Sequence, residues 1–206
     1  FAVVTAFHLK LYPKPPVLGS SFYAYPIDCA EEIYTWARGI SADIDRRVEV
    51  QIVASRSVPN AGIDQPAIVL ASPVFADSEA EAREAFGILD RCPVVDRALV
   101  AVPYAPVEMP AWYEAVMSNY LADHRYTADN MWTSAPAEQL LPGIRNILKT
   151  LPPHPAHFLW LAWGPSPERV DMAYSLEDEV YLALYAGWQD PADDARYADW
   201  PRSNMA

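Results

Sequence analysis

Three features predict an α+β domain. Strand-like and helix-like stretches alternate along the chain, several strands carry one apolar and one mixed face, and no Gly-rich phosphate loop occurs. About seven strands are expected in an antiparallel sheet, with about five helices packed on one face and the other face open.

The elements follow in order. Val3, Thr5, Phe7, Leu9 and Leu11 alternate with Val4, Ala6, His8 and Lys10, a period-two strand that ends at Pro13–Pro16. A chain that opens in mid-strand reads as a piece of a longer protein. Residues 20–25 form an aromatic strand, and Asp28 and Glu31 stand at capping-box spacing before a helix striped by Ile33, Trp36, Ala37 and Ile40. Residues 48–55 and 67–74 read as strands, and Ser78 and Glu81 make a second capping box for a helix reaching about Leu89. A strand over 97–102, an aromatic helix over 110–121 and an extended segment over 124–133 come next. The helix after Ser134 carries a stripe from Leu140 to Leu151, and Pro142 inside it should kink or restart it. Two last strands over 157–163 and 179–188 precede Asp190-Pro191, an N-cap followed by proline in the first turn.

Composition narrows the function. At 206 residues the chain can bury a substantial core, and 52% hydrophobic with 20% charged residues describes an ordinary globule. No apolar run approaches the ~20 residues of a membrane span. The net charge of −12 argues against nucleic acid; a solvated acidic surface is its plain reading. Cys29 and Cys92 suit neither a disulfide framework nor zinc spacing, and read as buried thiols in a cytoplasmic protein. His154 and His157 lie among prolines without a carboxylate at ligand spacing, so no metal site is expected. A Gly-x-Ser-x-Gly elbow is also missing.

Chemistry is expected on the open sheet face. In the last strand Tyr181, Ala183 and Tyr185 share one side, and Leu182, Leu184 and Ala186 the side toward the helices. In the strand before it, Leu159 and Leu161 are expected to meet the helices, leaving Phe158, Trp160 and Ala162 on the open side. Such aromatic walls suit an amphipathic ring, or they are simply core rings extending polar tips to water. His124 and Tyr126 on the extended segment are further substrate-side candidates, with a surface His-Arg pair as the alternative.

Several blocks resemble one family. Phe-Ala-Val-Val-Thr at residues 1–5, leading to Tyr12-Pro13, resembles the end of the flavin domain in FAD-linked oxidases of the berberine-bridge and p-cresol-methylhydroxylase type. Ala2 stands where those proteins usually have Gly. Tyr181–Trp188 with Gln189-Asp190-Pro191-Ala192-Asp193-Asp194 and Trp200 is similar to the family's late strand, Trp-x-Asp-Pro-Ala-Asp-Asp turn and helix. Pro103-Tyr104 and Gly164 with Glu168-Arg169-Val170 match two shorter blocks. The resemblance spans essentially the whole chain, most specifically at its ends.

It implies that residues 1–16 are the tail of an FAD-binding domain and 17–206 a substrate-binding domain. That domain would stop short of the family's C-terminal flavin-contacting segment, with its open face toward a flavin domain outside this chain. FAD would be bound mainly by that other domain, so the fragment alone should lack flavin and be inactive. The late strand in berberine bridge enzyme carries a glutamate thought to act as base; Tyr181 falls at its position, and some sugar and polyketide oxidases of the family use tyrosine. Tyr181 is therefore the expected catalytic residue, with Tyr185, Trp160, Phe158, His124 and Tyr126 at the substrate. The expected activity is oxidation of a small alcohol, sugar or secondary metabolite by hydride transfer to flavin. The alternative is a stand-alone ligand-binding or dimerisation module without redox activity. A homodimer through the exposed sheet face fits either.

Overall fold

The computed structural model describes residues 3, 5–9, 11, 13–162 and 178–205. Its elements are β1 (Val17–Pro26), α1 (Ala30–Ile40), β2 (Val50–Ser55), β3 (Ala67–Ala76), α2 (Glu79–Phe86), β4 (Val100–Pro106) and α3 (Met109–Met117). They continue with β5 (Arg125–Thr133), α4 (Ala137–Thr150), β6 (His157–Ala162), β7 (Val180–Trp188), α5 (Asp194–Tyr197) and α6 (Trp200–Met205). All seven strands join one antiparallel sheet in the order β4-β1-β3-β2-β6-β7-β5. The expected α+β architecture is present.

Period-two side-chain alternation gives the sheet two faces. Ile52, Leu70, Trp160 and Leu184 from its central strands bury one face against Ile33, Tyr34 and Ala37 of α1, Phe86 of α2, and Ile144 and Ile147 of α4. Arg38 on α1 donates to the carbonyls of Ser134 and Ala135 ahead of α4, and Arg56 donates to the Leu151 carbonyl just past its end. The Leu151 carbonyl is one of the C-terminal acceptors that the helix itself leaves without a partner. The apolar stripe carries α4 through Pro142 without a break.

Local signals succeed unevenly. Ser78 accepts from the Glu81 amide at 3.3 Å, and the Glu81 carboxylate reaches back to the Asp77 amide. Asp190 accepts from the Ala192 amide at 2.9 Å. The Asp28–Glu31 capping box does not form: Cys29 is the N-cap of α1, and the Asp28 carboxylate pairs with Arg97 instead. The strand expected over 97–102 starts later, because residues 95–97 form a short 3-10 turn.

The first strand is a correction. The described residues before Pro13 lie outside any strand, and Val3, Phe7, Leu9 and Leu11 are exposed. Alternation defines a face but supplies no partner, and no described strand pairs with this segment.

One helix departs from the expected layering. α3 lies across the other sheet face, where its Trp112 and Val116 stand over Phe22 of β1, Val53 of β2 and Val69 of β3. Among the described residues, helices cover one face and the short α3 lies over β1, β3 and β2 on the other.

Candidate functional site

The face away from α1, α2 and α4 divides into two zones. On β7, Tyr181, Ala183 and Tyr185 alternate with the core residues Leu182, Leu184 and Ala186, as the sequence pattern requires. Register then selects their neighbours. His157 of β6 pairs with Tyr185, and the rings stack at 4.8 Å between centroids. Trp132 of β5 pairs with Tyr181 and meets it edge-on at 5.3 Å. Tyr120, from the link between α3 and β5, stands edge-on to both Tyr185 and His157, at 5.6 and 5.8 Å.

Tyr126 of β5 lies on the same face opposite Gly187. A Cβ at Gly187 would come within 2.8 Å of both Pro155 Cγ and Tyr126 Cε1, so only glycine admits that approach. The Tyr126 hydroxyl donates to the Leu121 carbonyl at 3.0 Å, and the His124 ring lies 6.3 Å from the Tyr126 ring. Tyr181, Tyr185, Tyr126 and His124 therefore share one region.

Phe158 and Trp160 do not. The sequence expectation placed them on this face, but both are 0% exposed in the helix-covered core, packed against Tyr34 at 5.4 and 5.5 Å. Leu159 and Leu161 take the open side. Both sides of β6 are apolar, so polarity cannot orient the strand. Pairing of Phe158 with Ala54 and of Trp160 with Ile52 on β2 decides the matter. Neither residue touches the site.

The site's electrostatics favour neutral groups. Burial pushes the His157 imidazole below its usual range, outweighing the 2.9 Å contact of Nδ1 with the Pro155 carbonyl. The ring is therefore uncharged near neutral pH, with Nδ1–H donating to that carbonyl and Nε2 carrying the lone pair. Tyr120 is held above the ordinary tyrosine value, by burial first and then by Tyr185. Both cysteines are buried and held in the thiol form, as expected for packing residues.

The second zone is a cavity of ≈ 480 Å³ between α3 and the β1-β3-β2 half of the face. Asn60 donates to Ser118 Oγ at 2.7 Å, tying the C-terminal end of α3 to the link between β2 and β3. Asn119 lines the cavity, and the next residue, Tyr120, reaches the tyrosine floor. The two zones are neighbours across the sheet, where Ser55 of the cavity pairs with His157. Sequence reasoning missed Tyr120, His157 and the cavity residues. Their only signal was position on alternate faces, which has no meaning until strand order is known.

No family model matches the chain. Solved structures share this architecture. CrmK, a flavoenzyme of caerulomycin biosynthesis, aligns with TM-score 0.64 at 14% identity over 93% of this chain and 42% of its own. A berberine-bridge-enzyme-like protein of Arabidopsis thaliana gives 0.66 at 10% identity, also over 93% and 42%. The chain shares its fold with these two proteins.

Sequence relatives sharpen this. The FAD-linked oxidoreductase ptmO of Penicillium ochrochloron is 26% identical over 196 residues, 94% of this chain and 42% of that protein. The FAD-linked oxidoreductase janO of Penicillium janthinellum is 26% identical over 202 residues, 97% and 44%. At this level the chain is similar to FAD-linked oxidoreductases over nearly its whole length. It spans less than half the length of these curated relatives.

Proposed function

We propose that this chain is the substrate-binding portion of an FAD-linked oxidoreductase that oxidises a small alcohol, sugar or secondary metabolite. The observation that carries the reading is the match of at least 94% of the chain to FAD-linked oxidoreductases. Residues 1–16 would close the flavin domain and 17–206 bind substrate. The exposed apolar side of the first segment, Val3, Phe7, Leu9 and Leu11, suits such a covering domain.

The floor fits one side of a flat ring. Tyr126, Tyr181 and Tyr185 present aromatic edges and hydroxyls, with Ala128 and Ala183 between them to leave room. The sequence offers no Gly-rich loop for a diphosphate, so this surface would contact the isoalloxazine side of the site and leave the rest of FAD to the other domain. Bound flavin supplies the hydride acceptor. Tyr181 hydrogen-bonds the substrate hydroxyl or, as its phenolate, takes the hydroxyl proton while the hydride leaves the carbon for the flavin. Tyr185, fixed between His157 and Tyr120, positions the ring. His124 and Tyr126 border the substrate on the β5 side.

The test is single-turnover reduction of bound flavin in the full-length protein. Tyr181→Phe should slow it by about 10²–10⁴-fold, the usual loss of a positioned acid–base group. An unchanged rate removes Tyr181 from the reaction. The 206-residue chain purified alone should show no stoichiometric flavin absorbance, and a yellow preparation would contradict the assignment of FAD to the other domain.

A further inference from the structure

We propose that the cavity under α3 binds the body of an uncharged, predominantly apolar small molecule bearing a few hydroxyl or carbonyl groups. This deepens the function proposed above and rests on it only for the claim that the bound molecule is the oxidised substrate.

Charge is the first argument. One residue in five of this chain is charged, and the protein carries −12 overall, yet among the described residues no Asp, Glu, Lys or Arg lines the cavity. An ionised ligand entering it would lose hydration with no counter-charge in return, a penalty large enough to exclude it. Among the described residues the one titratable group lining the cavity is His154, which burial holds toward its neutral form. A ligand without formal charge meets no such penalty.

Surface chemistry is the second. Phe22, Val53, Val69 and Ala71 form the floor, and Trp112 and Val116 the roof. Polar groups sit apart from this apolar floor: the hydroxyls of Ser20, Ser55 and Ser57 and the side-chain amide of Asn119. Ser55 already donates to the Ala156 carbonyl at 3.3 Å, so toward a ligand its oxygen can act only as an acceptor. A mostly apolar enclosure with a few separated donors and acceptors orients a rigid skeleton through its oxygens.

Size and placement are the third. A volume of ≈ 480 Å³ lies within the ~300–1,000 Å³ range of drug-sized sites. Ser55 of the cavity pairs with His157, whose ring stacks on Tyr185, so a molecule filling the cavity is placed to direct one end toward Tyr185. The skeleton is held under α3 while its reactive carbon lies over β7.

The test uses the 206-residue chain and two fluorophores of similar size, uncharged aminoanthracene and anionic anilinonaphthalene sulfonate. Aminoanthracene should bind saturably at one site and resist displacement by the sulfonate. Ala115→Trp, at an exposed position of α3 that faces the cavity, should weaken binding at least about tenfold. Ala71→Phe should do the same from the floor; if its circular dichroism differs from wild type, Ala115→Trp alone decides. No saturable binding, binding indifferent to Ala115→Trp, or displacement by the sulfonate at equal concentration would overturn the proposal. No flavin is involved, so failure here leaves the Tyr181 test standing, and an unchanged flavin reduction rate leaves the cavity result standing.

Discussion

Asp194 joins three elements through one carboxylate. Its Oδ1 accepts from the Trp188 indole at 2.7 Å, and the Arg125 guanidinium donates to both oxygens at 2.7 and 2.9 Å. Trp188 ends β7, Arg125 opens β5 opposite it, and Asp194 opens α5. Replacing Asp194 by Ala leaves the indole N–H of an 8% exposed tryptophan without its acceptor, which costs about 1–3 kcal/mol. The Arg125 pair is nearly half exposed and contributes no more than ~1 kcal/mol. Asp194→Ala should therefore cost about 1–4 kcal/mol, lowering the melting temperature by roughly 2–16 °C for a chain of this size. Asp194→Asn keeps an acceptor for the indole and loses only charge, so it should cost about 1 kcal/mol. That smaller deficit should shrink in high salt, where the ion pair is screened anyway. Urea unfolding followed by far-ultraviolet circular dichroism measures both variants. Equal losses for Asn and Ala would refute the assignment of the larger share to the indole bond.

Two further outcomes are expected. Gly187→Ala forces Pro155 or Tyr126 to move and should cost about 1–3 kcal/mol, read as a lower urea midpoint at unchanged slope; an unchanged midpoint would show that the ring yields freely. His157 titrates below its unfolded value of about 6.5, so the unfolded chain binds its proton first as pH falls. Stability should be fully present above about pH 6.5 and decline below it, by up to about 1.4 kcal/mol per pH unit, until the folded-state value is passed. His154 is shifted the same way, so His157→Asn should flatten the decline without abolishing it. Urea midpoints that stay constant from about pH 7 to 5 in the wild type would contradict the buried neutral ring.

Much of the architecture was legible before any coordinates. The alternation in β7 put Tyr181 and Tyr185 opposite the helices, and the caps at Ser78 and Asp190 marked two helix starts. Motif reading also linked Trp188 to the turn after it, and the structure supplies the reason: Asp194 accepts its indole proton. Each of these signals is local, carried by residues within a few positions of one another.

What failed had no local cause. The sequence of β6, Phe158-Leu159-Trp160-Leu161-Ala162, is apolar on both sides, and only pairing with Ile52 and Ala54 turned its rings into the core. Asp28 had the spacing of a cap, but Arg97 drew its carboxylate away. Period and capping thus follow from the chain alone, because they depend on the geometry of one strand or one helix turn. The stacking of His157 on Tyr185, the arrival of Tyr120 and the crossing of α3 over the far face join residues tens of positions apart. Strand order and register decided those, because contacts between distant segments are selected by the buried surface of the whole fold.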